Sequence, residues 1–224
     1  MNKTKNILLL LVCGIIALAS LSSCLNNDNN DYSIDAATQK KYMTTISMLS
    51  PYSNNARLYY SDGYNAVKYD SIKGNSVYCR LSADSVLTIQ NFPICKLDSA
   101  IKISENETKG TYRELFDAIH NSKETVNIKG LYCIPYSNWA TTNGYQYLIA
   151  ASAQFKVTYG GEEHNVLFDF DQTQSWGNYN AAQLSAGMSL VLRAIYLDYK
   201  DEKNYGSRLN TNYFRAIQMI LTKD

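Results

Sequence analysis

The chain has 224 residues, 46% of them hydrophobic, with 21 Lys and Arg against 20 Asp and Glu, 3 prolines and 5 cysteines. Near-neutral charge with no Lys/Arg cluster argues against nucleic acid as a partner, because phosphate binding needs a basic face. Few prolines and no Pro/Ser/Gly-rich linker argue against stiffly hinged domains.

Lys3 and Lys5 precede an apolar run from Ile7 to Leu21, and Leu21-Ser22-Ser23-Cys24 ends it with the small residues that a lipoprotein signal peptidase accepts before cysteine. The run of about 15 residues is short of the roughly 20 that span a bilayer. Residues 1–23 are therefore expected to be a lipoprotein signal peptide. Cys24 becomes the first mature residue, acylated, with buried methylenes holding the anchor at about 0.8 kcal/mol each. The expected partner is the membrane, and the expected location is the bacterial envelope, at the outer membrane, facing the periplasm or the surface. Residues 24–35, the lipidated cysteine and a polar run rich in Asn and Asp, are expected to form a flexible tether. Asp28 and Asp31, soon after the cysteine, resemble the surface-export signals of Bacteroidetes lipoproteins, with simple solvation as the alternative. Removing residues 1–23 from the 224 leaves 201 residues, and removing Lys3 and Lys5 from the 21 basic residues leaves 19 against 20 acidic ones, a net charge of −1.

Residues 36–224 read as a single mostly-β domain. Tyr42, Met43, Ile46 and Leu49 recur at helical spacing after Asp35, an N-cap, which predicts a short helix over 36–49 ended by Pro51. Asp62-Gly63 marks a hairpin turn between β-prone stretches. Residues 77–81 and 85–89 predict two strands, the second stopped by Asn91-Phe92-Pro93. Tyr112, Leu115, Phe116 and Ile119 predict a second helix behind a Thr111 N-cap with Glu114 at the capping-box position. Residues 127–134 return to β character, and an unbroken alternation from Tyr145 to Tyr159 predicts a long strand. Gly160-Gly161-Glu162-Glu163 reverses it into a return strand carrying Val166, Phe168 and Phe170. A polar loop is expected over 171–187, then a buried strand over 188–199. Residues 213–222 fit a helix or a strand; the strand is preferred because the loop before it suits a hairpin connection. The fold class is α+β, mostly β: an antiparallel β-sandwich or distorted barrel with about two short helices and eight or nine strands.

The 19 tyrosines suit strand faces, wet interfaces and glycan stacking alike. Cys79, Cys95 and Cys133 are an odd set in a disulfide-permissive compartment, so at most one pair forms; the preferred reading is three free core thiols. His120 and His164 have no metal-ligand spacing, and no Gly-x-Ser-x-Gly, Cys-x-x-Cys, P-loop or Gly-x-Gly-x-x-Gly motif is present. No cofactor, metal site or catalytic residue is therefore assigned. Asp169 and Asp171 share a strand face and can hold calcium or share a proton, although a solvated face explains them as well. Glycosidases need only two placed carboxylates, so a carbohydrate-active hydrolase stays open.

Trp139 and Trp176 fall in stretches expected to be polar loops, with Tyr136 and Tyr179 beside them among asparagines. Aromatic faces stack on sugar C–H patches while amides bind hydroxyls, so these four are the candidate ligand residues; the alternative is that each tryptophan caps the core. The leading expectation is a non-enzymatic binding module for glycan, peptide or protein, with a structural accessory of an outer-membrane complex as a further alternative.

The lipobox, Asn91-Phe92-Pro93, Trp139 and the hairpin from Phe155 to Phe168 together resemble the Bacteroidales lipoproteins grouped as domain of unknown function 4840. The resemblance implies a cell-envelope protein of a gut-type anaerobe. It brings no catalytic or binding residues, because these motifs are turns and strand patterns.

Overall fold

The computed structural model describes residues 34–50, 57–62, 65–71, 77–101, 112–135, 140–141, 144–171, 174–180, 185–209 and 216–222. Cys24 and the leader lie outside the described residues, as do Tyr136 and Trp139. Helix α1 spans Ala36–Leu49, as the periodicity predicts. Asp35 caps it, its carboxylate accepting the Ala37 and Thr38 backbone N–H groups at 3.0 and 2.9 Å. These satisfy two donors that every helix start leaves open. Met43 and Ile46 turn inward.

Both ends of α1 are tied to strands. At the start, Ile34 N–H donates to Pro135 C=O and Gln39 Nε2 to Ile134 C=O. At the end, the Ser50 hydroxyl accepts the Leu81 N–H at 3.0 Å and donates to Cys79 C=O at 3.3 Å. Those last two groups belong to strand β3 (Tyr78–Leu81), an outermost strand, so a side chain fills part of an edge that would otherwise offer itself to another chain.

The strands are β1 (Arg57–Asp62), β2 (Asn65–Ser71), β3 (Tyr78–Leu81), β4 (Val86–Pro93), β5 (Thr125–Cys133), β6 (Ala140–Thr141), β7 (Gly144–Tyr159), β8 (Glu162–Phe170), β9 (Trp176–Asn180), β10 (Ser185–Leu197), β11 (Ser207–Arg208) and β12 (Ala216–Thr222). They form one sheet whose main order is β2-β1-β12-β10-β8-β7-β5-β4-β3, with β6 paired to β7, β11 to β10, and β9 to both β7 and β10. The ambiguous last segment is a strand, antiparallel to β10. The β7–β8 turn has Gly160 and Gly161 at φ 58° and 84°, the two left-handed positions of a type I′ hairpin.

Three details depart from the sequence reading. The expected loop over 171–187 contains β9, which continues the course of β8 between β7 and β10. Pairings β7–β8, β8–β10, β10–β9 and β9–β7 thereby make a closed circuit. Strand β4 passes Asn91 and ends at Pro93: Asn91 adopts φ 57° in a bulge that shifts the β4–β5 register between Ile89 and Phe92. Helix α2, Arg113–His120, has Tyr112 at its N-cap position with no capping side chain, and Thr111 lies outside the described residues.

The inward face is a continuous apolar core. Tyr147, Ile149, Ala151, Ala153, Phe155 and Val157 of β7 alternate into it, as do Ala186, Met188, Leu190 and Leu192 of β10. A 3-10 helix, Ile94–Ala100, touches β4, α2 and β12. Because β4 and β12 are far apart in the strand order, that shared contact requires the sheet to curl, so the mostly-β α+β fold takes the barrel-like form. His120 Nδ1 meets Asp98 Oδ2 at 2.5 Å and ties α2 to the 3-10 helix. Cys79 and Cys133 are buried and Cys95 half-buried, and none of the three is in a disulfide.

Candidate functional site

Strand alternation sends Gly177 and Tyr179 inward, which leaves Trp176, Asn178 and Asn180 facing out. Trp176 is 42% exposed, the only tryptophan among the described residues. Its neighbours follow from register. Leu148 lies opposite on β7 and Ser189 on β10, with Gln218 beyond Ser189 on β12. In the adjacent row Asn178 stands between Gln146 and Gly187, and Ile220, 41% exposed, lies beyond Gly187. Ser189 is only 5% exposed on this outer face, as expected with an indole directly across from it.

The Asn178 side chain leans across β10, its Oδ1 accepting the Gly187 N–H at 3.1 Å. A Cβ on Gly187 would stand 2.4 Å from that oxygen, so glycine is what admits the amide. Asn178 Oδ1 is thus engaged, while the amide's two N–H donors are left for other partners. Among the described side chains, Gln146, Leu148, Trp176, Asn178, Ser189, Gln218 and Ile220 give this face no charge, and Arg57 of β1 stands next in register beyond Ile220.

Support comes from beneath. Tyr179 is 2% exposed and stacks on Tyr145 at 6.4 Å between centroids with planes 15° apart, and Tyr145 in turn meets Tyr42 of α1 at 5.2 Å. Tyr179 is therefore a floor residue, contrary to its expected place beside a ligand. Trp176 lies on a strand where a loop was expected. Gln146, Asn178 and Gln218 were not singled out from sequence; only outward alternation could have marked them.

The remaining chemical candidates are held in pairs. Asp169 accepts two hydrogen bonds from the Arg193 guanidinium, one at 2.9 Å, and this contact holds Arg193 above its ordinary value. The anticipated Asp169/Asp171 couple is accordingly an ion pair for its first member. His164 Nδ1 sits 3.0 Å from Asp198 Oδ1 and its ring stacks on Tyr159 at 4.1 Å, so this histidine is packed on both sides. No group of three or more His, Cys, Asp and Glu residues among the described residues is placed to hold a metal ion.

Fold and site together define an antiparallel, mostly-β protein with an uncharged aromatic and amide face. The chain belongs to the family described as Domain of unknown function (DUF4840), whose model matches residues 47–197. Trp176, Asn178 and Gly187 fall inside that match, and Gln218 and Ile220 outside it. No curated protein and no solved structure matches the chain.

Proposed function

We propose that this is a lipid-anchored envelope protein of a Bacteroidales-type bacterium, attached through Cys24, whose domain over residues 36–224 binds a glycan without catalysing its conversion. The observation that carries the reading is Trp176, exposed on an uncharged strand face among Gln146, Asn178 and Gln218. Sugars present C–H patches that stack on an indole and hydroxyls that pair with amides, and neither needs charge. The basic n-region, apolar run and Leu21-Ser22-Ser23-Cys24 support the anchor.

An aromatic side chain buries about 150–250 Å², so covering the 42% of Trp176 now exposed removes roughly 60–100 Å² from water. At about 25 cal/mol per Å² this contributes about 2 kcal/mol, or over tenfold in affinity. The test is a polysaccharide array and affinity electrophoresis with soluble protein starting after Cys24. Trp176→Ala is expected to weaken binding about tenfold at a temperature where the variant is still cooperatively folded, its own melting midpoint falling because more than half of the indole is covered by the sheet. Unchanged retention of Trp176→Ala, or no polysaccharide bound by the wild type, overturns the reading. The anchor is tested separately: Cys24→Ala abolishes fatty-acid labelling, and continued labelling refutes it.

A further inference from the structure

Strands β5 and β7 pair from Cys133↔Leu148 to Ile128↔Ala153 and there part company. The bulge at Asn91 belongs to the same region: the Asn127 side chain of β5 accepts the Asn91 N–H at 3.2 Å, engaging β5 with β4. Beyond the parting lies a groove of about 640 Å³, lined on its polar side by Asn127, Lys129, Ser152, Gln154, Lys156 and Asn165. Amides, a hydroxyl and two ammonium groups thus converge on one concave surface.

The charges in the groove are unequal. Lys156 Nζ is bound to Glu163 Oε1 at 2.6 Å, which neutralises it. Lys129 is exposed and has no ion-pair partner among the described residues. It stands in register between Thr88 of β4 and Ser152 of β7, so hydroxyl-bearing positions flank it on both sides. Glu124, the groove's own acid, precedes β5 by one residue and lies at the opposite end.

Outward positions of β7 connect this groove to the tryptophan face. Leu148, opposite Trp176, is followed by Ala150 and Ser152, opposite Lys129. Four residues of strand cover about 13 Å. One extended chain can therefore lie along the outer face of β7, touching the indole at one point and the lysine at another.

We infer that the groove is an anion subsite of the same glycan site: Lys129 receives an acidic group, carboxylate or sulfate, carried by a sugar a short distance along the polymer from the unit stacked on Trp176. The inference rests on the glycan reading above and adds the ligand class, an acidic or acid-substituted polysaccharide. A hydrogen bond to a charged group in a partly enclosed groove amounts to about tenfold in affinity, and the gain falls as salt is raised.

The test uses matched polymers and the soluble mature protein. Amylose, galactomannan and glucomannan are each presented native, with C6 hydroxymethyl groups oxidised to carboxylates, and sulfated. The wild type is expected to bind an acidic form about tenfold more tightly than its parent at low salt. Lys129→Gln is expected to erase that gain and leave the parent's affinity intact, whereas Trp176→Ala weakens both. Whichever acidic form shows the gain identifies the group. Parents retained through Trp176 with no gain from carboxylate or sulfate, or a gain that survives in Lys129→Gln, overturns this inference and leaves the tryptophan reading standing. Failure of every polymer to bind overturns both, and binding of an acidic peptide in their place assigns the groove to protein.

Discussion

Replacing Gly177 by alanine places a methyl group where a ring already lies. A Cβ there would be 2.3 Å from Tyr147 Cε2, 2.5 Å from Cζ and 2.7 Å from the hydroxyl oxygen. Carbon atoms in contact prefer about 3.5–4.0 Å, so the ring would have to retreat by more than about 1 Å. It has no space to do so: Tyr147 is fully buried and meets Tyr132 edge-on at 5.5 Å. Overpacking of this kind costs about 1–3 kcal/mol. For a domain of this size each kcal/mol moves the melting temperature by about 2–4 °C, so Gly177→Ala is expected to melt about 2–12 °C lower. Urea unfolding should give a lower midpoint at constant slope, the mark of a native-state change. In a Tyr147→Leu background the ring is gone and the same methyl should cost little, giving a coupling of at least about 1 kcal/mol. An unchanged midpoint for Gly177→Ala, or an equal penalty in both backgrounds, would refute the reasoning.

Two further outcomes follow from the caps and the thiols. The Thr38 side-chain and backbone hydrogen bonds hold the Asp35 carboxyl below its ordinary 3.8, so its support of α1 is fully present above that pH and is lost as pH falls through the lower folded value. Asp35→Ala should therefore melt below wild type at neutral pH, with the difference closing under strong acid; a difference that persists there sinks the assignment. Among the cysteines, burial pushes the Cys79 thiol up and Cys133 is also enclosed, while Cys95 is half-buried. An aromatic disulfide reagent should titrate Cys95 first in the native protein and the others only on unfolding; equal native rates for Cys79 and Cys95 contradict this packing.

What the sequence made legible was set by how local the cause was. Asp35 caps its own helix and Gly160-Gly161 supplies its own positive φ angles, so both elements could be placed from a few neighbouring residues. Strand β9 could not, because one of its two inward positions is Gly177, where the missing apolar side chain is supplied by Tyr147 from another strand. The same cause misplaced Trp176 in a loop and hid the role of Tyr179. Asn91-Phe92-Pro93 has the composition of a stop, yet the strand absorbs it as a bulge. The 3-10 helix is too short for periodicity to register. As for the site, the tryptophan was visible by type, whereas Gln146, Asn178, Gln218 and Lys129 acquire meaning only through register.

Helix α1 is fastened near its start to the residues after β5 and at its end to β3, and it is the first described element after the proposed tether. Tension drawn through that tether would reach these few fastenings in sequence, peeling the helix away before the long β7 and β8 ladders carried load. Removal of α1 would uncover the β3 edge that Ser50 occupies. Because α1 also buries Met43 and Ile46 and lays Tyr42 on Tyr145 beneath the tryptophan face, such peeling would take away part of that face's floor, so that tension on the proposed anchor would be felt at the proposed ligand site.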